Sequence, residues 1–243
     1  MKLKARSLNS ACLAVLLAAV CTSHAQTYQI GPENSNQNSK PAQKQTQKQT
    51  QGQEPNLGFG SNIENARLGR AAEQALKSGD KVRALQYALR ASQAAPNDAQ
   101  LWFLVGYAAR LNARYQQSAD AYSHGLRISP SSLDGLSGLA QTYAAMGKND
   151  EAQKLLKQVL AANPKRANDA LVLGDIYMRA GDYNSAVDAL GQAERAHPDA
   201  RSELLMAISY EHLNKPDMAT RYLEAARKRA PDNPEVQRAM AGY

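Results

Sequence analysis

Cysteine is almost missing from this chain. Two occur among 243 residues, Cys12 and Cys21, both within the first 25 positions. A body without cysteine forms no disulfide and no thiolate metal site, so helix packing must hold it together. Histidine is scarce too, and His24, His124, His197 and His212 show no metal-ligand spacing with one another. No glycine-rich phosphate loop and no G-x-S-x-G nucleophile elbow occurs. With these marks of chemistry lacking, no catalytic residue, cofactor or metal is expected. Long apolar runs are also absent. The longest, Ala11 to Val20, falls short of the about 20 residues that span a bilayer.

Basic charge is present but unevenly placed. The formal net charge is +7, of which Lys2, Lys4 and Arg6 supply +3 and residues 26–60 supply +1, leaving +3 for residues 61–243. No Lys/Arg-rich run interrupts that later part, so no nucleic-acid partner is expected.

The first 25 residues have the layout of an export signal. A charged start precedes the apolar run, and Ser23-His24-Ala25 is a small-x-small cleavage site before Gln26. The expected location is the periplasm or cell envelope, with a mature chain that contains no membrane span. Residues 26–60 are rich in Gln, Asn, Ser, Thr, Lys and Pro, with a near-repeat from Lys44 to Gln51. So few apolar side chains cannot offset the entropy of ordering, which predicts a disordered linker.

A 34-residue period organises the rest. Pro96, Pro130, Pro164, Pro198 and Pro231 recur at intervals of 34, 34, 34 and 33, the signature of a helical solenoid. The pattern predicts five helix pairs: 65–78 with 81–95, 99–112 with 115–128, 133–146 with 149–162, 167–180 with 183–196, and 200–213 with 216–229. The units run 65–98, 99–132, 133–166, 167–199 and 200–233, and a short capping helix is expected within 234–243. Gly79, Gly147 and Gly181 stand where first helices end and the chain reverses. Asp80, Asp150 and Asp182 lie at turns, as caps of second helices, and Pro216 suits a first turn.

Within each unit, small residues recur where two helices must cross closely. Ala72, Gly106, Ala140, Gly174 and Ala207 hold the eighth position; Ala84, Ser118, Ala152, Ala186 and Ala219 hold the twentieth. Large apolar residues fill between them at helical spacing, among them Trp102, Tyr122, Leu156, Leu173, Leu190 and Leu223. They are expected to pack in the core.

This pattern resembles the tetratricopeptide repeat, with its W-x2-L-G-x2-Y motif followed by Ala, a bulky residue, Ala and Pro. Residues 167–198 carry it most fully: Leu173, Gly174, Tyr177, Gly181, Tyr183, Ala186, Leu190, Ala193 and Pro198. The resemblance covers about 65–233. It departs at Ala75 and Ala109 in place of Tyr, at Ala88 in place of a bulky residue and at Ala170 in place of Trp. It implies an all-α fold, a right-handed superhelical solenoid of about five antiparallel helix pairs. It also implies a concave groove, lined by the first helices, that binds an extended peptide or a partner helix.

The family's groove positions fall here on Phe103, Tyr107, Arg110, Gln141, Leu171, Asp175, Met178, Arg179, Leu204, Ile208 and Glu211. Leu171, Asp175 and Met178 share one face and are expected to stand partly open to solvent. Co-chaperones of the family grip a C-terminal carboxylate with Lys and Asn at two positions of the first unit, where this chain has Gly69 and Glu73. The expected function is a non-enzymatic scaffold or adaptor for protein partners in the cell envelope. A subunit of an envelope export or assembly machine and a recognition module of an enzyme complex are the alternatives.

Overall fold

The computed structural model describes residues 63–242, which form eleven α-helices. They are α1 (Ile63–Lys77), α2 (Lys81–Ala94), α3 (Ala99–Leu111), α4 (Tyr115–Ile128), α5 (Leu133–Ala145), α6 (Asn149–Ala162), α7 (Ala167–Arg179), α8 (Tyr183–Ala196), α9 (Ala200–His212), α10 (Pro216–Arg229) and α11 (Pro234–Ala241). The expected all-α solenoid is therefore present: α1 to α10 form five antiparallel pairs, and α11 packs on α10. The export signal, its cleavage before Gln26 and the linker to residue 60 lie outside the described residues.

One turn design recurs in all five pairs. After each first helix, an amide hydrogen reaches back over the last turn: Asp80 to the Ala75 carbonyl at 2.8 Å, Arg114 to Ala109 at 2.9 Å, Lys148 to Tyr143 at 2.9 Å, Asp182 to Tyr177 at 3.0 Å and Lys215 to Tyr210 at 2.9 Å. Such a closure needs one left-handed residue. Gly79, Gly147 and Gly181 provide it, as the sequence predicts, with φ between 77° and 79°. The other two turns use Ala113 at φ 56° and Asn214 at φ 54°; an asparagine tolerates this conformation, whereas an alanine is strained there by its Cβ.

Asp80 and Asp182 cap α2 and α8, accepting from the Arg83 and Ser185 amides at 3.0 and 3.1 Å. Asp150 does not cap. The cap position of α6 is Lys148, and Asp150 lies in the first turn, where its charge faces the positive end of the helix dipole.

The eighth and twentieth positions meet where the pairs cross. Ala84, Ser118, Ala152, Ala186 and Ala219 are fully covered. A Cβ on Gly174 would stand 2.6 Å from Leu190 Cγ, and one on Gly106 would stand 2.7 Å from the Tyr122 ring. Neither distance is sterically possible, so the glycines set how closely α7 approaches α8 and α3 approaches α4. At the border of units 2 and 3 two aromatic rings sit in glycine sockets. Phe103 lies against Gly125 and Gly135, and Tyr122 lies against Gly106 and Gly138. Trp102 is only half-buried; its indole N–H donates to the Pro96 carbonyl at 2.8 Å.

Each border between units also carries its own polar bond. Asn112 Nδ2 donates to the Lys81 carbonyl at 2.7 Å between units 1 and 2. The Ser118 and Thr142 hydroxyls lie 2.9 Å apart between units 2 and 3. Ser137 donates to Asp169 at 2.5 Å between units 3 and 4, and Ser202 donates to Glu194 at 2.6 Å between units 4 and 5.

Candidate partner-binding wall

First helices and second helices occupy different places in the stack. Every first helix packs on the first helix of the next unit: α1 on α3, α3 on α5, α5 on α7 and α7 on α9. Successive second helices meet less. A stack whose members touch more closely along one edge curves toward that edge, so α1, α3, α5, α7 and α9 form the inner wall.

The eleven expected groove residues all lie on this wall, and they divide by burial. Phe103, Tyr107, Leu171, Asp175, Met178, Leu204 and Ile208 are buried. Arg110, Gln141 and Glu211 are half-buried, and Arg179 is exposed. Leu171, Asp175 and Met178 do share one face of α7, but that face is covered: Met178 is 2% exposed and Asp175 8%. Four helices pack around α7, with α8 and α6 most extensive and α5 and α9 lighter, an enclosure that helical spacing within α7 does not reveal. Arg179 pairs with Asp175, so burial leaves that carboxylate compensated. The accessible subset is polar and spread along the wall. Arg110 comes from unit 2, Gln141 from unit 3, Arg179 from unit 4 and Glu211 from unit 5.

Around this subset lies a charge network that sequence spacing alone does not expose. Arg166 bonds Asp134 at 2.9 Å and also Asp169, whose other oxygen accepts from Ser137. Gln141 Nε2 donates to that same Ser137 hydroxyl at 3.1 Å. On the last unit Arg229 grips Glu203 with two nitrogens, at 3.0 and 2.9 Å. Asp169 and Glu203, both buried, are thus compensated by arginines. An acid near the start of a first helix, with an arginine within a few residues or at the end of the unit, is the sequence signal that could have marked these pairs.

Burial pushes the Tyr122 phenol up to about 12, with the nearby Arg110 guanidinium opposing the rise. The phenol is therefore neutral at any physiological pH. In unit 1, Gly69 is buried and the Glu73 carboxyl is raised by burial, partly offset by Lys77 and Arg70. A carboxylate-gripping cation is absent from these two positions. No group of three or more His, Cys, Asp or Glu side chains able to hold a metal occurs among the described residues. Among those residues, no helix is long and apolar enough to cross a membrane.

Stacked antiparallel helix pairs with a continuous inner wall of first helices define a helical-repeat solenoid. Family comparison gives that class its name. Tetratricopeptide repeat models match residues 67–132 and 109–176, and the model for anaphase-promoting complex, cyclosome, subunit 3 matches residues 145–226. The chain is a tetratricopeptide-repeat protein.

Two curated relatives show the same relationship at a distance. Anaphase-promoting complex subunit 3 of Schizosaccharomyces pombe is 26% identical over 63% of this chain and 23% of its own length. The human protein O-mannosyl-transferase TMTC1 is 28% identical over 48% of this chain and 12% of its own length. The chain thus spans less than a quarter of the curated relatives it matches.

Solved structures agree on the fold. A thermophilic TPR protein of Thermus thermophilus superposes with a TM-score of 0.61 at 20% identity, covering 73% of this chain and 97% of that one. MamA from Desulfovibrio magneticus RS-1 superposes with a TM-score of 0.63 at 16% identity, covering 71% and 98%. Such repeats support a protein-interaction scaffold.

Proposed function

We propose that this protein is an exported, non-enzymatic adaptor of the cell envelope, and that its inner wall receives an extended segment or helix of a partner protein. The observation that carries the binding reading is the accessible polar subset. Among the eleven groove positions, each of units 2 to 5 keeps one accessible side chain, and all four are polar: Arg110, Gln141, Arg179 and Glu211. Buried neighbours such as Met178 and Ile208 fix the shape of the wall, and the polar four lie within reach of a ligand laid along it. Export rests on the charged start, apolar run and Ser23-His24-Ala25 site of the sequence.

Two measurements test the proposal. Affinity capture from envelope extract compares the wild type with a variant in which Arg110, Gln141, Arg179 and Glu211 are all alanine. The expected result is unchanged circular dichroism with specific loss of captured protein; full capture by the variant moves the binding surface elsewhere. Intact-mass analysis of the envelope fraction is expected to find Gln26 as the first residue. A chain that retains Met1, or one with a lipid on Cys21, overturns that part of the reading.

A further inference from the structure

Arg110 differs from three other arginines of the solenoid. Arg166 has Asp134 and Asp169 within 4.0 Å, Arg179 has Asp175, and Arg229 has Glu203. No carboxylate of the described residues comes that close to Arg110. Its Nε is buried and has no hydrogen-bond partner among them. Beneath the guanidinium lies the Tyr107 ring, 5.4 Å from Cζ, and beside it the buried Tyr122 phenol. Both rings are uncharged. They attract a cation but do not neutralise it.

A half-buried charge in such a place costs folding free energy that a nearby carboxylate ordinarily offsets. Among the described residues the desolvated platform is present without an anion. Resting on the wall reading above, we propose that Arg110 anchors an acidic side chain, Asp or Glu, of the bound partner segment at the border of units 2 and 3. A planar guanidinium over an aromatic ring is well suited to a carboxylate, which it can grip with two parallel bonds.

A side chain fits this position better than a chain terminus. The wall continues past Arg110 in both directions, through α1 on one side and through α5, α7 and α9 on the other. A segment lying along it therefore has chain on both sides of the anchor. The end-gripping positions of the first unit hold Gly69 and Glu73 instead of cations.

The probe is a phage-displayed library of random peptides, selected separately on the full-length wild type, Arg110→Gln and Arg110→Glu. Peptides from the wild type are expected to share Asp or Glu at one aligned position. Arg110→Glu should replace that preference by Lys or Arg. A synthetic wild-type-selected peptide should bind Arg110→Gln roughly tenfold or more weakly by fluorescence anisotropy. Changing its acidic residue to the amide should cost as much against the wild type and little against Arg110→Gln.

Circular dichroism confirms that each variant is folded, and Arg110→Gln alone decides the matter if Arg110→Glu does not fold. Peptides without an acidic preference, or an acidic peptide that binds Arg110→Gln equally well, overturn the inference. If those peptides still lose affinity to Gln141→Ala or Arg179→Ala, the wall reading survives it. A preference confined to the peptide's free C-terminus also overturns it, in favour of end-gripping. A library that yields no binder removes both readings.

Discussion

The two helices of the fifth unit divide burial unequally. In α9, nine of thirteen residues are buried; in α10, three of fourteen are, namely Ala219, Leu223 and Ala226. The first helix is enclosed by α7, α8 and α10, whereas the second packs on α9 and α11 and leaves most of its surface in water. The same contrast separates α7 from α8. It extends to chemistry: Asp169, Asp175, Ser202, Glu203 and Ser209 are buried on first helices, while α8 and α10 bury only apolar residues. A helix enclosed on nearly all sides must satisfy its polar groups internally. A surface helix can hand them to water. Units 2 to 5 thus each join one helix of the interior to one of the exterior, and the interior one also forms the wall offered to a partner.

Four substitutions probe this division. The largest expected effect is from Met178→Ala on α7. Met178 is 2% exposed, so truncation leaves a cavity and should cost about 2–5 kcal/mol in urea unfolding. A cost below about 1 kcal/mol would show that this face of α7 opens to solvent.

Next is Arg166→Met, which strands Asp169, a carboxylate whose side chain is 2% exposed. The expected loss is about 3 kcal/mol, because breaking a buried pair from one side leaves an uncompensated charge. Adding Asp169→Asn should recover part of it. If the double variant is no better than the single, the network is not what matters at this border.

Ala186→Leu follows. It places a branched side chain at the crossing of α7 and α8, opposite Gly174, and should cost about 1–3 kcal/mol, with coupling carrying the loss into neighbouring units. An unchanged melting temperature would put the crossing elsewhere.

The smallest effect should be a gain. Ala113→Gly relieves the left-handed alanine at φ 56° and should raise stability by up to about 1 kcal/mol. A fall in melting temperature would mean that the turn between α3 and α4 is not strained.

The solenoid was legible because its punctuation is chemical. Prolines stop second helices and glycines reverse the chain at Gly79, Gly147 and Gly181, so pair boundaries follow from the spacing to within a residue or two at most ends. The small residues at Ala186 and Gly174 mark the crossing. The openness of the wall was not legible. Spacing puts Leu171, Asp175 and Met178 on one face, but only the packing of the helices around α7 decides whether that face meets water. Enclosure also blurs the first helices as a pattern, since α9 carries Ser202, Glu203 and Ser209 among its apolar residues and shows no polar face. Ala113 and Asn214 are hidden as turn formers because neither residue type requires that role.

The polar bonds at the unit borders make the repeats non-interchangeable. Repeats of one length look like interchangeable copies, ready to be duplicated or deleted by recombination. Here each seam is stitched differently: Asn112 to the Lys81 carbonyl, Ser118 to Thr142, Ser137 to Asp169, Ser202 to Glu194. Excising residues 133–166 would set Ser118 against a unit with no Thr142 and deprive Asp169 of Ser137 and Arg166 together. Each unit is matched to its own neighbours, so deleting or reordering units would break these bonds.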